Sequence, residues 1–225
     1  MQDPSADVTW DANGVPFSNR FDDPYFSLEN GLEETRHVFL HGNGLPERFC
    51  DGFHVAELGF GTGLNFLATV LAWRASGVSG RLRFTSFEAF PLSAEQIEQA
   101  LAVFPELTGL RSQLVACWEP VGGVFNLDDD VELNVIKGDA SPALNGWGGL
   151  ANAWYLDGFS PAKNPDLWSD TILDQVARHT AAEGTFATYT AAGFVRRSLE
   201  RAGFAVTRSK GFGRKRHMSQ GVLRP

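Results

Sequence analysis

Three patterns are missing from this chain of 225 residues, and each absence excludes a class of protein. No run of about eighteen or more apolar residues occurs, so the sequence offers no candidate for a membrane-spanning helix. The only two cysteines, Cys50 and Cys117, are far apart and lack a C-x-x-C pair, which predicts reduced thiols rather than a disulfide framework. The five histidines form no H-E-x-x-H or Cys/His pattern, so we expect no metal site.

We also expect no secretory leader. Residues 1–7 are polar and acidic, without the apolar segment of a signal peptide, which favours a cytoplasmic location. The length suits one large α/β domain with a short appendage, and an apolar content of 43% supports a full core. We expect an irregular N-terminal extension, or lid, over residues 1–50 and a main Rossmann-like domain over residues 51–225.

The net charge of −8 is unevenly distributed. From Arg196 onward there are nine basic residues and one acid, so this end carries +8 and the remaining 195 residues carry −16. An acidic body with a basic end is typical of polyanion-binding proteins, although a solvated helix face followed by a charged tail gives the same pattern. The candidate residues for binding a polyanion such as RNA are Arg196, Arg197, Arg201, Lys210, Arg214, Lys215 and Arg216.

The most informative motif is E-L-G-F-G-T-G-L-N at residues 57–65. An apolar run before it predicts a buried strand, and apolar residues at helical spacing after it predict a helix. A strand, a glycine turn and a helix form a cofactor crevice at the carboxyl end of the strand, where glycines let the backbone approach the ligand. A tight turn before a core helix, with no ligand, is the alternative.

The spacing of the glycines indicates which cofactor fits. The pattern is G-x-G-x-G, whereas a dinucleotide loop reads G-x-G-x-x-G, and the acid Glu57 is badly placed for a diphosphate. A carboxylate there suits the cationic groups of S-adenosylmethionine, and we favour this donor over a nicotinamide cofactor. Glu88 ends the next strand and can accept hydrogen bonds from ribose hydroxyls, and Asp139 is placed for the adenine amine. The candidate cofactor-binding residues in this part are Glu57, Gly59, Gly61, Gly63, Asn65, Glu88 and Asp139.

Strand and helix patterns alternate along the rest of the chain. This alternation predicts a doubly wound, mostly parallel, seven-stranded α/β sheet that closes with an antiparallel C-terminal strand pair. The predicted strands are residues 53–58, 82–88, 123–127, 131–137, 152–157, 184–190, 204–209 and 217–223. The predicted helices are residues 63–75, 93–103, 106–116, 168–181 and 192–202, with Ser93 and Gln96 forming a capping box at the second.

The loop that begins at Asp157 is the candidate acceptor site. Pro161 and Pro165 stiffen it, and it presents an acid together with the ring of Phe159. If the acceptor is an alkyl amine, it must lose its proton before it can attack a methyl group, and a carboxylate that accepts its N–H stabilises the charge that develops on nitrogen. Asp157 and Phe159 are therefore the candidate catalytic residues. An Asx-turn that only shapes the loop is the alternative for Asp157.

Long motifs carry a resemblance to one family. They are the segments at residues 23–35, 57–66, 86–92, 156–168 and 192–216, and together they resemble the methyltransferase domain of the MnmC and MnmD family of bacterial tRNA-modifying enzymes. The resemblance implies a class I S-adenosylmethionine-dependent fold. It also implies methylation of 5-aminomethyl-2-thiouridine at the tRNA wobble position, with Asp157 facing the amine. In the same way, it implies that the segment with Tyr25, Asn30 and Glu34 closes over the methionine end of the cofactor.

One departure from the family pattern is informative. The flavin-dependent oxidase domain of MnmC has no counterpart in this sequence, which fits either a stand-alone enzyme or an excised domain, so we expect no flavin and no oxidase activity of this chain. The expected partners are then the tRNA anticodon stem-loop and separate enzymes that supply the aminomethyl uridine. Two other functions are compatible with parts of the sequence. They are a non-catalytic RNA-binding module and a methyltransferase for a small-molecule or protein amine.

Overall fold

The computed structural model describes residues 6–27 and 30–225. The strands are β1 (Val8–Trp10), β2 (Pro16–Ser18), β3 (Asp23–Pro24), β4 (His54–Leu58), β5 (Leu82–Glu88), β6 (Gly123–Leu127), β7 (Val131–Lys137), β8 (Ala151–Leu156), β9 (Thr180–Thr188), β10 (Phe204–Lys210) and β11 (His217–Leu223). The α-helices are α1 (Gly31–Thr35), α2 (Leu64–Ser76), α3 (Ala94–Leu101), α4 (Thr108–Cys117), α5 (Ala140–Gly146), α6 (Asp170–Arg178) and α7 (Gly193–Arg201). A π-helical turn, Arg36–Leu40, follows α1.

The main sheet has the strand order β10-β11-β9-β8-β4-β5-β7-β6. Its five central strands are parallel, and β10 and β11 pair antiparallel at one edge, so the predicted doubly wound fold with a closing strand pair is confirmed. The sheet has eight strands rather than the seven predicted. The strand beyond seven is β6, which was itself predicted over residues 123–127; it forms the expected hairpin with β7, joins the sheet at its edge and buries Phe125 and Leu127.

The N-terminal segment is more regular than the predicted irregular extension. β1, β2 and β3 form a small antiparallel sheet, and Asn30 caps α1 by accepting a hydrogen bond from the Glu33 N–H. Strands of two or three residues are too short to produce a periodic pattern, which explains why the sequence did not predict them. Residues 1–5 and 28–29 of the predicted extension lie outside the described residues.

The predicted helices are present, with ends that differ by one to three residues. The capping box of α3 is confirmed: the Gln96 N–H donates to Ser93 Oγ at 3.2 Å, and the Ser93 N–H donates to Gln96 Oε1 at 2.9 Å. Helix α5 was not predicted, because it is short and contains Pro142. This proline lies in the first turn, where a backbone N–H has no intrahelical partner.

Apolar side chains cover both faces of the sheet and hold its strands in place. Helices α2, α3 and α4 pack into one core through residues such as Phe66 and Ile97, and α5, α6 and α7 pack into the other through residues such as Ile172 and Leu199. Within the described ranges, no helix has the length and apolar character needed to cross a bilayer. The same part of the chain contains no cluster of three or more histidine, cysteine or acidic side chains that could hold a metal ion.

Candidate active site

A cavity of about 670 Å³ opens at the carboxyl ends of the central parallel strands. This is where open α/β sheets bind ligands, and the volume suits a nucleoside-sized molecule. Its walls come from the N-terminal segment, from the loops that follow β4, β5, β7 and β8, and from residues of the C-terminal third. The chain therefore brings its two ends together over the predicted cofactor crevice.

The glycine loop, residues 59–63, adopts a backbone that other residues rarely adopt. Gly59, Gly61 and Gly63 have φ values of +85°, +54° and +78°. A Cβ atom on Gly61 would lie 3.3 Å from the ring of Tyr25, so this position also needs the absence of a side chain. Gly59 and Gly61 line the cavity, whereas Gly63 precedes α2 and is buried behind the loop.

Glu88 lies at the end of β5, as predicted, and lines the cavity with only 8% of its surface exposed. Its carboxylate accepts the N–H of Gly61 at 2.9 Å and that of Phe90 at 2.7 Å. Burial raises the pKa of Glu88, and these backbone donors act in the opposite direction. The carboxylate is thus fixed at the cavity wall, and each oxygen keeps a further lone pair for a ligand hydroxyl.

A buried hydrogen-bond network joins Glu57 to Asp157 through Asn65. The Asn65 side-chain amide donates to Glu57 Oε1 at 2.9 Å and to Asp157 Oδ2 at 2.7 Å, and its oxygen accepts from Thr35 Oγ1 at 2.8 Å. Glu57 is fully buried, and it also accepts from Ser86 Oγ at 2.8 Å. Burial and then the nearby Asp157 carboxylate raise the pKa of Glu57 well above its usual value.

Asp157 is the carboxylate that faces the cavity from β8. Burial raises its pKa to about 6, although the Gly158 N–H and the Asn65 amide stabilise its charged form. The hydroxyl of Tyr189 donates to the Gly158 carbonyl at 2.8 Å and holds the backbone next to it. A carboxylate with this pKa is ionised near neutral pH and can accept a proton or an N–H from a ligand.

Phe159 belongs to an aromatic wall built from two distant segments. Its ring stacks on Phe21 at a centroid distance of 4.7 Å and meets the edge of Tyr25 at 5.1 Å. The Ser160 N–H donates to Asp23 Oδ2 at 2.9 Å, which ties the acceptor loop, residues 157–168, to the N-terminal segment. Burial and then the Glu88 charge raise the pKa of Tyr25, which keeps its hydroxyl protonated.

Four predicted cofactor-binding residues do not line the cavity: Asn30, Glu57, Gly63 and Asp139. Asp139 is exposed, and its neighbours Gly138 and Ala140 line the cavity instead. Asn30 caps α1, and Glu57 reaches the cavity only through Asn65. The other predicted residues, Tyr25, Glu34, Gly59, Gly61, Asn65 and Glu88, lie together in the wall with Asp157 and Phe159.

The predicted RNA-binding residues occupy different positions. Arg197, Lys210, Arg214 and Arg216 are exposed on α7 and on the basic turn, residues 210–216. Arg201 pairs with Asp170 at 2.7 Å, and Arg196 is partly buried. Lys215 is different because it points into the cavity, where its ammonium lies 2.8 Å from Glu34 Oε1 and 4.4 Å from the ring centroid of Tyr189.

Sequence reasoning missed several residues of the wall. Tyr189 directly follows β9. The rule that ligands bind at the carboxyl ends of parallel strands, which selected the acids, would therefore have found it as well. Phe21 and Asp23 carried no strand or helix pattern that linked them to the acceptor loop. Thr35 lies on α1, which the sequence did not predict.

Comparison with known proteins gives the chain a family. The sequence model of one family, described as S-adenosyl-L-methionine-dependent methyltransferase, matches residues 105–224. The chain is 46% identical, over 96% of its length, to the tRNA 5-methylaminomethyl-2-thiouridine biosynthesis bifunctional protein MnmC of Aeromonas hydrophila subsp. hydrophila. It is 44% identical, over 97% of its length, to the protein of the same name from Hahella chejuensis. The chain spans 35% and 36% of these two proteins, or about a third of their length.

Solved structures give the same fold. The crystal structure of MnmC2 from Aquifex aeolicus superposes with a TM-score of 0.74 at 24% sequence identity, and the match covers 99% of this chain and 72% of that one. A precorrin-6y C5,15-methyltransferase from Geobacter metallireducens superposes with a TM-score of 0.51 at 13% identity, covering 96% and 98% of the two chains. Since the family model matches more than half of the 225 residues, the chain belongs to the family of S-adenosyl-L-methionine-dependent methyltransferases.

Proposed function

We propose that this chain methylates the primary amine of 5-aminomethyl-2-thiouridine at the tRNA wobble position and so forms 5-methylaminomethyl-2-thiouridine. The observation that carries the proposal is a partly buried carboxylate, Asp157, with a pKa of about 6 in the same cavity as the glycine loop. The names of the relatives, at 44% to 46% identity, support this substrate.

The residues of the cavity fit S-adenosylmethionine. The left-handed glycines leave the backbone of residues 59 and 61 free to approach the donor closely, and Glu88 is fixed where it can accept from ribose hydroxyls. Once bound, S-adenosylmethionine supplies a methyl group carried on a sulfonium. In our proposal Tyr25 and Asn65 complete the donor wall, and the described part of the N-terminal segment covers it as a lid.

Asp157 then acts on the acceptor amine. An alkyl amine reaches the site mostly as an ammonium, which lacks the lone pair that attack requires. Removal from water lowers the pKa of the amine, and an ionised Asp157 accepts its N–H and stabilises the positive charge that develops on nitrogen. With a pKa of about 6, Asp157 can also take the proton that the new secondary ammonium releases.

The exposed cations would bind the tRNA. Contacts to phosphates from α7 and the basic turn give affinity that falls with salt, while the wobble base leaves its stack and enters the cavity. Phe159 and Tyr25 offer aromatic surface near Asp157 on which a base can stack. Separate enzymes would supply the aminomethyl uridine. Flavin bound by the purified protein would contradict our expectation that the chain acts without one.

The decisive experiment is mass spectrometry of wobble nucleosides. The protein and S-adenosylmethionine are incubated with tRNA from cells that lack this modification, and we expect 5-aminomethyl-2-thiouridine to convert to the methylamino form. Matched reactions contain the free nucleoside or unmodified tRNA with an unrelated wobble base. Methylation of the free nucleoside at an equal rate would favour a small-molecule amine as substrate. No methyl incorporation into tRNA would refute the proposal.

A further inference from the structure

One side-chain amide in the cavity wall is not used by the protein itself. Asn164 lines the cavity and is partly buried, and its side chain forms no hydrogen bond with any residue that the structure describes. Asn65, the other asparagine of the wall, has its amide fully occupied by the buried network described above. The amide of Asn164 therefore keeps one oxygen acceptor and two N–H donors for a ligand.

Asn164 also lacks the structural role that is usual for an asparagine at this position. It is the N-cap of the 3₁₀ turn Pro165–Trp168, where an asparagine side chain commonly accepts a backbone N–H, yet it makes no such bond to the described residues of the turn. Its backbone is nevertheless fixed, because the Asn164 N–H donates to the Ser160 carbonyl at 2.9 Å and a proline follows. The fold thus holds the amide in place without using it.

The acceptor loop closes on itself and presents this amide together with the carboxylate. The indole N–H of Trp168 donates to the Phe159 carbonyl at 3.0 Å, so the end of the loop contacts its beginning. Asp157, Phe159 and Asn164 all line the same cavity. An acid, an aromatic ring and a free amide are therefore held on one closed loop.

The position of the loop assigns the amide to the acceptor rather than to the donor nucleoside. Glu88, which fits the ribose, ends β5, and Gly138 and Ala140 follow β7. The acceptor loop follows β8, which lies on the other side of β4 from β5 and β7. An amide on this side is available to the substrate on which Asp157 acts.

The Watson–Crick edge of uracil complements an amide. The ring carries a donor, N3–H, directly next to an acceptor, O4, and an amide offers an oxygen and an N–H side by side. Proteins read unpaired RNA bases on this edge while the faces of the bases stack on aromatic rings. Because C5, which carries the aminomethyl group, is bonded to C4, a contact at O4 holds that group close to the same wall.

We propose that Asn164 binds the Watson–Crick edge of the wobble uracil, through O4 and N3–H, and so directs the aminomethyl group toward Asp157. This inference rests on the proposed function and names the residue that holds its substrate base. The ring of Phe159, on the same loop, supplies the stacking surface. Asn164 thus positions the base, whereas Asp157 acts on the amine.

Replacing the amide by a carboxylate tests this role. Two tRNAs are assembled by ligation, one with 5-aminomethyl-2-thiouridine and one with 5-aminomethyl-2-thiocytidine at the wobble position. Cytosine has an N4 amino group in place of O4, so it donates a hydrogen bond where uracil accepts one. The carboxylate of Asn164→Asp repels O4 but can accept from N4. We expect the ratio of kcat/KM for the uridine tRNA to that for the cytidine tRNA to fall at least about tenfold relative to wild type.

Three further measurements separate base binding from a defect in the loop. Affinity of Asn164→Asp for S-adenosylhomocysteine, measured by calorimetry, should stay within about twofold, which also shows that the variant is folded. Asn145→Asp makes the same chemical change at an exposed position of α5, where the new carboxylate can still accept from Gln175, and should leave the ratio unchanged. Asn164→Leu can neither donate nor accept, so it should slow both tRNAs by a similar factor.

Other results overturn the inference. An unchanged ratio in Asn164→Asp, including no use of the cytidine tRNA by either protein, would mean that the amide does not bind this edge. A parallel loss of S-adenosylhomocysteine affinity would assign Asn164 to the donor. In both cases the wild type still methylates the uridine tRNA, so the proposed function stands. If the wild type methylated neither tRNA, the proposed function would fail as well.

Discussion

The carboxylates at the strand ends and the cations of the basic turn differ most in their access to water. Glu57 and Glu88 are 0% and 8% exposed, and fixed hydrogen-bond donors hold each of them. Arg214 and Arg216 are exposed. Buried charges interact strongly over short distances and are hardly screened, whereas exposed charges act as a diffuse field that salt weakens. The two regions should therefore respond to mutation in different ways.

The largest effect should come from Asp157. Asp157→Asn keeps the size of the side chain but removes the charge and the base, and we expect kcat to fall by about 10² to 10⁴ fold. Affinity for S-adenosylhomocysteine should change little, so the loss would lie in the chemical step. Rapid-quench measurement of methyl transfer to tRNA reports the chemical step, and a separate binding measurement gives the affinity for S-adenosylhomocysteine. Equal losses in kcat and in donor affinity would contradict the assigned role.

The pH dependence should have opposite signs for activity and stability. Asp157 must be ionised to act, so kcat should fall as the pH drops through about 6, by up to about tenfold per pH unit. Because its folded-state pKa lies above the ordinary value of 3.8, ionisation disfavours the folded state, and stability should fall as the pH rises from 3.8 to about 6. Thermal unfolding of the wild type and of Asp157→Asn across this pH range checks the predicted fall in stability. The decline should be smaller in the variant, and the part that remains comes from Glu57 and Glu88, whose pKa values burial also raises.

A smaller, salt-dependent effect should come from the basic turn. In the double variant Arg214→Ala with Arg216→Ala, we expect KM for tRNA to rise severalfold at moderate salt. The slope of log affinity against log salt should become shallower by about 0.7 to 0.9 for each phosphate that the variant no longer neutralises. Arg83→Ala, on an exposed position of β5 near the opposite edge of the sheet, is the control. An unchanged slope would place the tRNA elsewhere.

The smallest effect should come from the capping box of α3, which lies outside both regions. Ser93→Ala removes the acceptor for the Gln96 N–H, and we expect a loss of about 1 kcal/mol in unfolding free energy. Methyl transfer at a temperature well below unfolding should be unchanged. Chemical denaturation followed by fluorescence measures the first, and the tRNA assay measures the second. Reduced kcat in this variant would mean that activity follows global stability. The effects of the site variants could then no longer be assigned to the buried carboxylates or to the basic turn.

The sequence predicted the buried acids better than the wall around them. Glu57, Glu88 and Asp157 end strands with clear apolar patterns, and the parallel order of those strands brings their ends together. Asp139 also follows a strand, but α5 begins directly after it and leaves the side chain exposed. The strand-end rule therefore locates the backbone and not the direction of each side chain.

Contacts between distant segments could not be predicted in this way. Lys215 reaches Glu34 across 181 positions, and Phe21, which lies between β2 and β3, stacks on Phe159. No local periodicity predicts such pairs, because they form only when the N-terminal segment packs against the loops at the edge of the folded sheet. Composition identifies Lys215 only as one of several cations and gives no sign of its contact with Glu34.

The contact between Asp23 and the Ser160 N–H has a consequence for protein engineering. A fragment cut at residue 51 would keep the residues of the parallel sheet, the glycines and every strand-end acid. It would lack the partner that anchors the acceptor loop and half of the stacked aromatic pair. It would also lack Leu32, Phe39 and Leu45, which are buried in the core on one face of the sheet, so a design based on it would have to replace both the loop anchor and that part of the core.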